Sequence, residues 1–143
     1  MKKLSFLALI FGVFAFIACN KDDDTHTDEP HYHVHIHSPN TDAKHQGDTL
    51  HIDVEFSEEN LMTVHHINVK IYNKNDINQV IFDQPTEAHI HETSGQYEFK
   101  ADFVLDPAVV PGHTDWILEA KVWGHDEGLA EVSETVEFHV HPM

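Results

Sequence analysis

From His31 onward the chain alternates hydrophobic and polar side chains in short runs broken by turn residues. That period of two sends successive side chains to opposite faces of a β-strand. Seven such runs are readable. The first, 31–37, turns Tyr32, Val34 and Ile36 to one side and ends at Ser38-Pro39-Asn40; the second, 49–56, directs Leu50, Ile52, Val54 and Phe56 inward. A third covers 64–73 with Ile67, Val69 and Ile71 in phase and stops at Asn73-Lys74-Asn75-Asp76. A short fourth, 79–82, precedes Pro85, and the fifth, 96–105, aligns Tyr97, Phe99, Ala101 and Phe103 against Glu98, Lys100 and Asp102. The sixth, 115–123, collects Trp116, Leu118, Ala120 and Val122 on one face, and the seventh, 133–141, aligns Val136, Phe138 and Val140. No window shows a 3.6-residue hydrophobic stripe, which predicts a chain without helix.

Seven alternating strands in about 110 residues predict one all-β domain over residues 31–143, a seven-stranded antiparallel two-sheet sandwich of immunoglobulin-like topology. The C-terminal half carries Gly95-Gln96-Tyr97-Glu98-Phe99, then Pro111-Gly112, then Trp116 to Val122 and the turn Gly124-His125-Asp126-Glu127-Gly128. That succession resembles the last three strands of bacterial Ig-like and cadherin-like modules. The resemblance implies a fold and no particular activity.

The polar half of the alternation is unusual in being histidine. His31, His33, His35 and His37 occupy every second position of the first run, and His139 and His141 repeat the pattern in the last. Two histidines at i and i+2 on a strand have Cα atoms about 6.5 to 7 Å apart, so both rings reach one ion at about 2.0 to 2.1 Å. In an immunoglobulin-like sandwich the first strand pairs in parallel with the last. This predicts a cluster at one end from His33, His35, His37, His51, Asp53, His139 and His141, with His45 and His113 from the loops. The loops at the other end predict a second possible metal site from His65, His66, His89, His91 and His125, beside Glu92. Four alternating histidines span about 20 Å, so more than one ion is expected. With no free thiolate and few methionines, the ligand set suits divalent zinc or copper, with nickel also accommodated. Asp53, Glu92 and Glu137 are further ligands or groups that orient a ring. An exposed His-x-His is also the ordinary polar half of a strand, and His26 reads as solvated. Trp116, Phe99 and Phe103 read as core, whereas Trp123 alternates to the outer face.

Composition adds location and excludes one class of partner. Lys2 and Lys3 precede an apolar run from Leu4 to Ala18 that ends at the only cysteine, Cys19. At about fifteen residues the run is too short to span a bilayer and reads as a signal peptide, residues 1–18. Ala18-Cys19 resembles the lipobox of bacterial lipoproteins, and Asn20-Lys21-Asp22-Asp23-Asp24 resembles the export signal of Bacteroidota-type surface lipoproteins. The resemblance implies lipidation of Cys19, a lipid anchor in the outer membrane with residues 19–30 as an acidic tether, and exposure at the cell surface. Cys19 being lipidated leaves no disulfide. Once Lys2 and Lys3 leave with the leader, six lysines face all 25 acidic residues, a formal charge of −19 with histidine neutral. Such a surface repels nucleic acid and attracts cations. The expected function is therefore a non-enzymatic, histidine-rich outer-membrane lipoprotein that captures or buffers zinc or copper, with a metal transporter or receptor as a conceivable partner. The alternative is an Ig-like adhesion or assembly module whose histidines are incidental or pH-responsive. A metal-dependent hydrolase would need an open coordination position and a base such as Glu137 or Glu92, and no HExxH, phosphate loop or nucleophile elbow is present.

Overall fold

The computed structural model describes residues 30–125 and 130–143. The signal peptide, Cys19, His26, all but the last residue of the tether, and turn residues 126–129 lie outside the described residues. Nine strands are present among those described: β1 (Tyr32–Ser38), β2 (Lys44–His45), β3 (Thr49–Glu58), β4 (Val64–Asn73), β5 (Asp76–Gln84), β6 (His89–Glu92), β7 (Gln96–Val104), β8 (Thr114–Trp123) and β9 (Val132–His141). No helix occurs among them.

The strands form two sheets, β1-β3-β7 and β2-β9-β8-β4-β5, with β6 pairing β4 beside the larger path. Every pairing is antiparallel except β2 with β9. The result is an all-β, immunoglobulin-like two-sheet sandwich whose dry interior is the inward half of each alternation. Leu50, Ile52, Val54 and Phe56 from β3 meet Val64, Ile67, Val69 and Ile71 from β4 and Trp116, Leu118, Ala120 and Val122 from β8, all essentially inaccessible. Burying an aliphatic or aromatic side chain this completely stabilises by about 1.5–3 kcal/mol each before chain entropy is subtracted. Trp116 carries a polar atom into this interior and satisfies it locally, its Nε1–H donating to Thr114 Oγ1 at 2.7 Å.

Three expectations are corrected. The strand count rises from seven to nine because β2 and β6, two and four residues long, are too short to display a period. The expected short strand at 79–82 extends over Asp76–Gln84, with register shifts against β4 that blur its alternation. Tyr97, Phe99, Ala101 and Phe103 on β7 are half-buried, because β7 is an edge of the smaller sheet; Phe82 from the opposite edge strand packs there, with ring centroids 6.3 Å from Phe99 and 5.8 Å from Phe103.

The N-terminal ribbon changes sheets. β1 pairs β3 as far as Ser38, the chain breaks at Pro39, and the next extended residues, Lys44 and His45, lie in parallel beside Val140 and His141 of β9. The parallel partner of the last strand is therefore β2, and the histidine stripe of β1 stays with the other sheet.

Candidate metal centre

Five histidines meet at one end of the sandwich. His65 and His66 are consecutive on β4, and on a regular strand their side chains would diverge. Opposite them β6 carries one extra residue, Ile90 and His91 standing against His65 alone, and such a bulge re-aims the side chains of the strand that holds it. The His65 and His66 ring centroids lie 6.2 Å apart with planes 25° apart. His89 and His91 arrive on β6, two residues apart, and His125 follows β8. From His65 the centroids lie 5.2 Å to His91, 5.7 Å to His125 and 6.3 Å to His89, while His66 and His89 stack at 4.8 Å. One ligand nitrogen from each of His65, His89 and His91 falls within 4.8 Å of the others. Tetrahedral zinc requires nitrogens about 3.3 Å apart, which side-chain rotation of the exposed His89 and His91 supplies.

Three local features prepare these rings to bind a cation. His91 holds a left-handed backbone, φ 49°, a conformation that costs a side-chain-bearing residue of order 1–3 kcal/mol and here aims the ring at His65. His66 Nδ1–H donates to the Gly124 carbonyl at 2.7 Å, fixing the tautomer that leaves Nε2 as a free lone pair. The Trp123 indole stacks on His66 at 5.4 Å and 11°, walling one side. His65 is the centre of the group, and its Nδ1 is buried with no hydrogen-bond partner among the described residues. Burial, and after it the neighbouring His91, His125, His66 and His89, holds the His65 pKa below its ordinary 6.5, which favours the neutral ring. A buried nitrogen without a partner costs about 1–3 kcal/mol, a cost that a water molecule or an ion removes. Glu92 stands apart from this work: its carboxylate accepts from Ser94 N at 2.9 Å within the β6–β7 turn.

The set expected at the other end divides. His139 and His141 on β9 lie close together with His113 and with His45 of β2. His33, His35, His37, His51 and Asp53 belong to the smaller sheet and do not join them. Each is turned to a carboxylate or lysine instead: His33 to Glu59 at 3.5 Å, His35 to Glu134 at 3.9 Å, His37 to Glu55 at 3.5 Å, His51 to Asp102 at 2.6 Å and Asp53 to Lys100 at 3.7 Å. His35 and His37 also touch edge to face at 4.5 Å. Glu137 is occupied by Lys74 at 2.6 Å. The physical reason is the sheet change at Pro39: β1 pairs β3 and meets β9 near Glu134, while it is β2 that lies beside Val140 and His141.

No family model matches the chain, and no curated protein matches it. Among solved structures, a CARDB domain from Pyrococcus furiosus in solution superposes with a TM-score of 0.49 at 12% identity, over 78% of this chain and 95% of that one. The crystal structure of that CARDB domain in complex with di-metal ions gives 0.45 at 12% identity, over 80% and 96%. A beta-glucosidase from Listeria innocua gives 0.43 at 10% identity, over 80% of this chain and 17% of the enzyme. At these identities and scores the likenesses carry no argument about what this chain binds or does.

Proposed function

We propose that this chain binds a divalent transition-metal ion, zinc or copper, through the imidazoles of His65, His89 and His91, with His66 and His125 completing or exchanging into the shell. One observation carries the reading: the four imidazoles of His66, His89, His91 and His125 converge on His65, whose Nδ1 is buried without a partner among the described residues. An all-imidazole set selects borderline divalent ions over calcium or magnesium, which take oxygen ligands. The role is capture or buffering, and Glu92, next to His91 in sequence, is engaged in its own turn. The leader, Cys19 and the acidic residues after it support a lipid anchor at the outer face of the outer membrane, where the anionic domain concentrates cations from the medium and presents them to a transporter or receptor.

Equilibrium dialysis of the full chain against micromolar free zinc or copper, followed by metal analysis, tests this. Wild type should hold at least one ion, and the double variant His65→Ala/His89→Ala should hold one fewer. Less than one ion on wild type, or an unchanged count in the variant, removes the reading.

A further inference from the structure

We propose that the opposite end of the sandwich carries a second, independent site for a divalent transition-metal ion, built from His113, His139 and His141, with His45 as the side chain available for a fourth position. It shares no residue with the first site and does not rest on it.

The site is assembled by three elements. His139 and His141 are an i, i+2 pair near the end of β9, with ring centroids 4.7 Å apart. His113 immediately precedes β8, and its backbone N–H donates to the Val140 carbonyl at 2.7 Å, which locks the loop against β9 between the two ligand residues. Its ring lies 6.4 Å from His139 and 6.2 Å from His141, and one ligand nitrogen from each of the three falls within 4.8 Å of the others. This close approach needs Gly112, where a Cβ would sit 2.9 Å from Pro142. Like His91, His113 holds a left-handed backbone, φ 58°. Both triads thus contain one histidine in a conformation that a side-chain-bearing residue adopts only when its surroundings impose it.

The donors are prepared as metal ligands usually are. His139 Nδ1–H donates to Asp115 Oδ1 at 2.6 Å across the β8–β9 pair, which orients the ring and turns Nε2 into the lone-pair nitrogen. His45 stands 5.6 Å from His141 because β2 runs parallel to β9 there. Three imidazoles, one backed by a carboxylate, with a further imidazole in reach, is a nitrogen donor set for zinc or copper(II). An ion taking His45 as fourth ligand ties β2 to β9 and to the loop before β8. Asp115 and Trp123 stand eight positions apart along β8, roughly 27 Å of strand, so neither end can share an ion with the other.

Zinc binding to the full chain is measured by equilibrium dialysis for wild type, His139→Ala/His141→Ala, His65→Ala/His89→Ala and the quadruple variant. The β9 pair should remove one equivalent and the quadruple variant one more than either pair. His113→Gly, which accepts the left-handed backbone while deleting the ligand, should weaken the remaining zinc equivalent of His65→Ala/His89→Ala at least tenfold. With chelator present the thermal midpoints of the β9 and His113 variants should stay near wild type, which separates lost ligands from lost fold. An unchanged stoichiometry in His139→Ala/His141→Ala, or zinc affinity within twofold after His113→Gly, overturns the second site. Retention of one equivalent by His65→Ala/His89→Ala supports it whether or not the first site binds.

Discussion

Replacing Glu58 tests how the loop that delivers β4 to the histidine cluster is held. Glu58 ends β3 and is 2% exposed, the most buried acidic residue described, yet its carboxylate has no cationic partner among the described residues. It accepts instead from the backbone N–H groups of His31 at 3.1 Å, Asn60 at 2.8 Å and Met62 at 2.7 Å, and from the Asn60 side-chain amide at 3.4 Å. Each charge-assisted bond contributes about 1.5–3 kcal/mol. Truncation to alanine leaves those donors behind, but His31 and Asn60 are exposed and regain water, so the net cost is set near 2–4 kcal/mol rather than the sum. For a domain of this size that lowers the thermal midpoint by roughly 10–20 °C. A second signature is pH. Burial alone would raise the Glu58 pKa, but the Met62, His31 and Asn60 donors outweigh it and hold the value below the usual 4.5. A lowered native pKa stabilises fully above the unfolded value and is lost as pH falls through the native one. The gap in midpoint between wild type and Glu58→Gln should therefore narrow from about pH 5 to about pH 3. Differential scanning calorimetry of both variants across that range reads both effects. An alanine variant within 3 °C of wild type, or a gap that ignores pH, refutes the assignment.

Three further substitutions separate other parts of the argument. Gly95 has φ 77°, and a Cβ there would lie 2.4 Å from Leu61 Cα, so Gly95→Ala should cost about 2–4 kcal/mol in urea unfolding; a change below about 0.5 kcal/mol would refute the close approach. Because Trp123 stacks on His66, one equivalent of copper(II) should quench tryptophan emission in a His139→Ala/His141→Ala background. Trp123→Phe should abolish most of that change, and persistence of the quench would place the ion elsewhere. His35 and His37 are exposed on the smaller sheet, so His35→Ala/His37→Ala should shift stability by less than about 0.5 kcal/mol and leave metal stoichiometry intact by dialysis; loss of an ion would rejoin the stripe to a site.

What the sequence makes legible follows from periodicity. Seven strands and the inward sets of β3, β4 and β8 are readable because burial on one face imposes strict alternation, and those side chains are the ones found inaccessible. The histidine stripe of β1 is the loudest pattern in the chain and yet faces carboxylates, because the turn at Pro39 carries the ribbon to the other sheet and it is β2 that pairs with the histidine end of β9. Nothing in a two-residue strand announces itself. Loop placement points to the five-histidine group, but its convergence involves the extra residue of β6 opposite His65 and the left-handed backbone at His91, neither of which carries a residue signature. Asp115 carries a faint signal, an acidic residue flanking Trp116 on the outward face of the strand beside β9. Glu58 carries none: it looks like one more surface acid.

The change of sheet at Pro39 has a mechanical side. Tension arriving through the residues ahead of His31 first loads the rungs between β1 and β3, which stretch from Tyr32 to Ser38 and resist a pull along the strand together rather than one by one. The same ribbon is then sewn to the far layer at Lys44 and His45, so the two layers cannot be drawn apart by a force on that end without breaking stitches in both.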